Sequence, residues 1–302
     1  MTCRPAFGTR TRLAGVTLIE LAITIAIVGI VSVMILQFAM PVRSYIDTSR
    51  RAALADAADT ALRRVGRDLR LALPNSVRVT TTGTPPNEVH YLELLLVRTG
   101  GRYRSAPDSA VGATTCGTTA GDVLDFGAAD TCFVTLGNVP NIDQVSDNND
   151  YLVVFNLQPG TDKADAYQSS CGSECNKSLI TGKTDGSGVE RLAFNSNTFT
   201  YESPGNRFFV VQGPVTYECD KNAGTLRRYQ GYTIVASPQP TPPAGTGNLL
   251  ADKVKDCSFA YTSSAAQGSG LVTMFLQLRI QDSQGSEQTA SLYHAVHVNN
   301  VP

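Results

Sequence analysis

Gly15-Val16-Thr17-Leu18-Ile19-Glu20 opens the stretch GVTLIELAITIAIVGIVSVMILQFAM, residues 15–40, and the reading of the fold starts there. From Val16 to Met40 the only charged residue is Glu20. A helix of that length, rising ~1.5 Å per residue, is long enough to cross a hydrocarbon core of ~30 Å. A carboxylate inside such a span costs a few kcal/mol, so Glu20 needs a partner and is a functional candidate on that ground alone. Upstream, MTCRPAFGTRTRLAG carries Arg4, Arg10 and Arg12 and no acidic residue, a pattern that keeps residues 1–15 on the cytoplasmic side and sends the C-terminal part across. A secretory signal is cut after its apolar core. Here the small residue that suits cleavage, Gly15, precedes the apolar core, so a cut at Gly15/Val16 would retain the anchor.

Pro41 is expected to end or kink the first helical stretch. Apolar residues then recur at three- and four-residue spacing through Val42, Tyr45, Ile46, Ala53, Ala57, Ala61, Leu62, Val65, Leu69 and Leu73. Asp47/Arg51, Asp59/Arg63 and Arg64/Asp68 stand at i, i+4 for pairing on the other side. The spacing predicts an amphipathic helix over 41–74 with its stripe against a globular domain, stopped at Pro74-Asn75. Beyond it the period changes to alternation, in Val89–Val97, Asp150–Phe155, Arg207–Tyr217, Val272–Ile280 and Leu292–Val298, as strands require. The segment 237–247 is a Pro-rich loop; a short helix is expected over Leu249–Val254 and a strand over Cys257–Tyr261. The fold class implied is α+β, with one long N-terminal helix, half membrane and half amphipathic, packed on an antiparallel β-sheet domain.

Composition narrows the function. The chain has 302 residues, 42% hydrophobic and 17% charged, enough to bury a core. A formal charge of −1 without a basic run argues against nucleic acid as a partner. Removing the three leader arginines from 25 basic residues leaves 22 against 26 acidic, a formal charge of −4. Of seven cysteines, Cys3 falls in the leader, and the other six lie in the part expected in an oxidising compartment. Six cysteines allow fifteen connectivities; sequence-local pairing gives Cys116 with Cys132, Cys171 with Cys175, and Cys219 with Cys257.

The chemistry-bearing clusters are weak. Asp143, Asp147 and Asp150, with Asn148 and Asn149, form an oxygen-rich group that calcium could use, but the spacing departs from an EF-hand and fits an Asx-rich turn. Cys171-x-x-x-Cys175 lacks a second ligand pair for zinc. His294 and His297 stand three apart in a strand and therefore on opposite faces; His90 stands alone. Gly182-Lys183-Thr184 resembles the end of a phosphate loop without its first glycine and reads as an ordinary loop. No catalytic residues, metal or cofactor are assigned.

The Gly15-Val16-Thr17-Leu18-Ile19-Glu20 sequence after a short basic leader resembles the class III signal of type IV prepilins. In that family a prepilin peptidase cuts after the glycine and methylates the new N-terminus. The glutamate at the fifth mature position pairs with a neighbouring subunit's terminal amine. The resemblance implies cleavage at Gly15/Val16, N-methylation of Val16 (where most members have Phe or Met) and an assembly role for Glu20. Its implied layout is a cleaved leader at 1–15, a membrane and assembly helix at 16–40, an amphipathic helix at 41–74 and a periplasmic β-rich pilin domain at 75–302. The segments RRVGRDLRLALPNSVRV (Arg63–Val79), RFFVVQGPVTYECD (Arg207–Asp220), TLRRYQGY (Thr225–Tyr232) and the terminal HVNNVP are similar to minor pilins of the mannose-sensitive-haemagglutinin (MSHA) type. That similarity implies a low-abundance subunit that initiates or caps a pilus. Implied partners are the prepilin peptidase, other minor and major pilins through the N-terminal helix, the inner-membrane assembly platform, and inner-membrane lipid before assembly. The alternatives are a J-type minor pseudopilin of a type II secretion system, and a membrane-anchored adhesin that uses the loops between Gly100 and Gly188.

Overall fold

The computed structural model of the chain describes residues 15–111, 115–116, 119–169, 171–186, 188–238, 247–264, 268–282 and 285–302. Leader residues 1–14, with Cys3, and positions 239–246 of the Pro-rich loop lie outside the described residues. The chain divides into two compact units, 1–52 and 53–302.

The first unit contains most of the apolar part of helix α1, which spans Leu18–Arg70 without a break. Pro41, expected to end the stretch, sits within it. Its window Leu18–Ile35 has a mean hydropathy of 2.6, and none of it is buried. Leu18, Ile19, Ile25, Val28 and Ile30 all stand exposed around the helix, so the side chains face outward in every direction instead of forming one stripe. The two hydroxyls in this window bond back to the helix, Thr24 Oγ1 to the Leu21 carbonyl at 2.9 Å and Ser32 Oγ to the Val28 carbonyl at 2.7 Å. They therefore leave the span without a free hydroxyl donor among the described residues, the condition for an apolar surround.

In the second unit the end of α1 carries the buried stripe Leu54, Ala58, Ala61, Leu62, Val65 and Leu69. The sequence placed Ala53 and Ala57 in that stripe; both are exposed, and Leu54 and Ala58 take their places because the face is turned by one residue. Among the described residues this unit has fourteen strands: β1 Arg78–Thr82, β2 Val89–Arg102, β3 Thr115–Cys116, β4 Thr119–Ala120, β5 Asp130–Val134, β6 Tyr151–Val154, β7 Lys177–Gly186, β8 Val189–Asn197, β9 Arg207–Asp220, β10 Thr225–Gln230, β11 Asn248–Ala251, β12 Val254–Ser264, β13 Ser269–Gln281 and β14 Glu287–Asn299.

One sheet runs β1-β2-β9-β6-β7-β8-β5, with β10 joined to β9 and β11 to β10; a second runs β12-β13-β14, and β3-β4 form a short ribbon. The pairings are antiparallel. Leu92, Leu94 and Leu96 of β2, Tyr217 and Cys219 of β9, and Val272, Met274, Leu276 and Leu278 of β13 meet the helix stripe in one core. A second core under β5, β6 and β8 holds Phe133, Phe194, Phe199 and Phe208, with Phe133 and Phe208 edge-to-face at 5.2 Å.

Pro214 lies in β9 opposite Leu95 of β2; on its other side it falls between the stretch paired with β6, Phe208–Val211, and the stretch paired with β10, Val215–Asp220, where no ladder partner needs its missing N–H. Just before it Leu96 faces Gly213 and Val97 faces Val211, so Gln212 is an extra residue at a bulge. The expected helix over Leu249–Val254 is instead β11 and the start of β12, because Leu226 and Arg227 of β10 recruit this segment as a partner strand.

The structure bonds Cys116 to Cys132, Cys171 to Cys175 and Cys219 to Cys257, with Cα separations of 5.8, 5.2 and 6.5 Å. The third joins β9 of the large sheet to β12 of the small one inside the helix-facing core. A link of this kind contributes ~2 to 4 kcal/mol by restricting the unfolded chain.

Candidate functional site

Gly15, Val16 and Thr17 are non-helical and exposed, and α1 begins one residue later. A Cβ added at Gly15 would meet nothing within 4 Å. The local sequence explains the boundary. Thr17 is the N-cap: its Oγ1 accepts the Glu20 backbone N–H at 3.3 Å, and its carbonyl accepts the Leu21 N–H at 3.1 Å. Thr17-x-x-Glu20 is the signature of a capping box. It places the Glu20 carboxylate in the first turn, where unpaired backbone N–H groups favour negative charge by about 0.3–1 kcal/mol.

That sum is smaller than the few kcal/mol a carboxylate costs within hydrocarbon. Glu20 is exposed, and no ion pair to it is found among the described residues. The cap thus locates Glu20 without neutralising it. What the arrangement offers chemically is one exposed carboxyl group in the first turn of an apolar rod, following a non-helical, exposed segment at Gly15 and Val16.

The other end of α1 is tied to the sheets by polar groups. Asp68 was placed by its spacing opposite Arg64, yet it turns inward: its carboxylate accepts Arg228 Nε at 2.7 Å and the Tyr217 hydroxyl at 2.6 Å. Burial, reinforced by the Asp68 carboxylate, pushes the Tyr217 phenol well above its ordinary value, so it stays a donor. Asp59 and Arg63 do pair on the solvent side, at 2.6 Å.

Beyond the helix, Arg78 is a hub. Nε donates to Glu93 at 2.9 Å, the terminal nitrogens donate to the carbonyls of Val235, Ala236 and Ser237, and the guanidinium lies 3.5 Å from the Tyr167 ring centre. Arg227 donates to the Gly247 carbonyl at 3.0 Å. The two ends of the segment 237–247 are therefore each held by an arginine. Asn75, at φ 61, donates to the carbonyls of Asn156 and Asn300, while its own N–H goes to Asn300 Oδ1. This knot fixes the chain where it leaves the helix against its C-terminal residues.

The remaining expected groups do not assemble. Asp150 is fully buried and its carboxylate is committed to Arg98, at 2.7 Å, and the Ser146 N–H, at 2.8 Å. Asp147 lies 3.6 Å from Lys183 Nζ, and Asp143 stands in a single 3-10 turn. Among the described residues no group of three or more His, Cys, Asp or Glu is placed to hold a metal ion. Gly182-Lys183-Thr184, read as a loop, lies within β7. His294 faces Gly66 of the helix, and His297 is exposed on the other face of β14. His90 bonds Thr81 Oγ1 through Nδ1 at 3.1 Å, while Nε2 is buried without a hydrogen bond, 3.8 Å from Glu88 Oε2.

No family model, curated protein or solved structure matches the chain. Two of the features above escaped the sequence reading. The Thr17 cap was visible as Thr-x-x-Glu ahead of an apolar run; the Arg78 hub was not, because its partners lie up to 159 residues away.

Proposed function

We propose that the chain is a minor pilin: a membrane-anchored structural subunit that helps initiate or cap a type IV pilus of the MSHA type, closest by resemblance to the biogenesis protein MshO. The observation that carries the reading is the conjunction at the start of α1. An accessible Gly15–Val16 bond precedes a capped helix whose only charge from Val16 to Met40 is Glu20, and that helix runs on unbroken into the stripe that organises a β-rich domain. An apolar surface exposed all round needs lipid or other helices to cover it, and a filament core of bundled helices supplies the second after the bilayer has supplied the first.

In this reading prepilin peptidase removes residues 1–15 and methylates Val16. Glu20 then meets a neighbouring subunit's terminal amine when α1 leaves the membrane. The chain crosses the inner membrane once, N-terminus cytoplasmic and β domain periplasmic, before joining the filament through the assembly platform. It is a substrate of the peptidase and not itself a catalyst.

Intact-mass measurement of the protein made with and without prepilin peptidase tests this. The expected result is loss of residues 1–15 and gain of one methyl group on Val16 only when the peptidase is present. An unprocessed chain in both strains would falsify the reading.

A further inference from the structure

The last turns of α1 carry Arg63, Arg64, Arg67 and Arg70, all exposed, on the side of the helix opposite the stripe Leu54, Ala58, Ala61 and Val65. Arg63 is paired with Asp59. Arg64, Arg67 and Arg70 have no ion pair among the described residues; the carboxylate that spacing offers to Arg64, Asp68, is buried against Arg228 and Tyr217. The helix dipole favours cations in the final turn, which accounts in part for Arg67 and Arg70. That effect fades within a turn and leaves Arg64 unexplained. The three guanidinium groups spread along ~9 Å of helix axis, and the turns before them expose small residues, Ala53, Ala57 and Thr60, which let another element approach closely.

We propose that this arginine stripe docks an acidic protein surface on a different subunit of the same filament, one that presents two or three carboxylates over about two helical turns. The inference rests on the pilin reading above. Charge decides the kind of partner. Paired symmetrically through this helix face, a second copy of this chain offers, among the described residues, only Asp56 as an exposed, unpaired carboxylate, since Asp59 is taken by Arg63 and Asp68 is buried. One carboxylate cannot answer three guanidinium groups. A polyanionic surface such as nucleic acid or anionic lipid would be repelled by Asp56, and the chain as a whole carries a formal −1. Guanidinium forks suit paired carboxylates, and complementary rim charges select the partner and speed its capture.

The test uses the full chain in the cells that make it. Arg64, Arg67 and Arg70 are changed together to Glu, together to Gln and together to Lys, and each variant is quantified in membranes and in sheared filaments. The expected result is at least a tenfold loss of the Glu variant from filaments with its membrane level unchanged, a smaller loss for Gln, and near-wild-type incorporation for Lys. Should the Glu variant fail to accumulate, the Gln variant carries the comparison. Photo-crosslinking from Thr60 is expected to yield a heterologous adduct.

Wild-type amounts of the Glu and Gln variants in filaments overturn the proposal, as does a homodimeric adduct. A Glu or Gln variant that accumulates in the cell but leaves the membrane fraction would place the arginines on lipid headgroups and overturns it too. Absence of the wild-type chain from filaments altogether removes the pilin reading, and the inference with it, which is a separate outcome from a wild type that incorporates beside variants that do likewise.

Discussion

Asp68 and Arg228 show how one residue pair can decide the attachment of a long helix. Both side chains are buried, at 12% and 7% exposure, and each is the other's counter-charge across the core. A buried ion pair contributes little relative to a well-packed apolar replacement, yet removing one partner costs about 3–5 kcal/mol because the other is stranded. Asp68→Ala should therefore lower the denaturant midpoint steeply, and Arg228→Met in the same chain should recover much of the loss; equal, additive losses in a double-mutant cycle would contradict the coupling. His90 makes a second prediction. Burial lowers its pKa, as does Lys221, against the opposing pull of Glu88 and Asp256. The unfolded chain then binds more protons than the folded one below its ordinary pKa of 6.5, so stability is retained above that value and lost as pH falls beneath it. Thermal melts at descending pH should show this slope in the wild type and a flatter one in His90→Gln.

At the scale of elements, Gly66 of α1 stands against β14. A Cβ there would meet His294 Nε2 at 3.1 Å and Val296 Cγ2 at 3.3 Å. Glycine in a helix interior costs about 0.5–1 kcal/mol relative to alanine, and the close approach is what it provides. Gly66→Leu should destabilise the domain by about 1–3 kcal/mol through overpacking, and His294→Ala in that background should restore part of it, as read from urea unfolding followed by circular dichroism. The same pair shows what the sequence made legible. The alternation of β13 and β14 put His294 and His297 on opposite faces, because strand period is a local property. Helical spacing in 41–74 was legible as far as Arg70, where α1 ends short of the expected stop at Pro74 because Leu73 donates to the Leu95 carbonyl of β2; the spacing also could not settle which residue of each adjacent pair, Ala53 or Leu54, Ala57 or Ala58, faced inward. Leu249–Val254 was misread because a short apolar run carries no decisive period; pairing with β10, a tertiary fact, makes it a strand. Asp68 was assigned to Arg64 by spacing for the same reason. The partner that won lies 160 residues away and could not be seen from i, i+4 rules. At the candidate site the reverse held, since Gly15, Val16, Thr17 and Glu20 act through neighbours in sequence.

At the scale of the whole molecule, the proposed function puts two tasks on one helix, and a single substitution separates them. Anchoring depends on apolar area: Leu18–Ile35 is exposed throughout, and each buried CH2 contributes about 0.8 kcal/mol whatever sits at position 20. Assembly, in the proposed function, depends on the charge of Glu20. Glu20→Leu removes a group that costs a few kcal/mol in hydrocarbon and at most weakens the helix start by the ~0.3–1 kcal/mol of a first-turn anion. The variant should therefore remain in the membrane fraction after alkaline carbonate extraction at least as completely as the wild type, and still be cut at Gly15/Val16. In sheared filaments, by contrast, it should fall below a tenth of the wild-type amount. Release of Glu20→Leu from membranes would mean that the helix is held by something other than its apolar surface, and undiminished recovery in filaments would mean that the one charge in the span has no part in assembly.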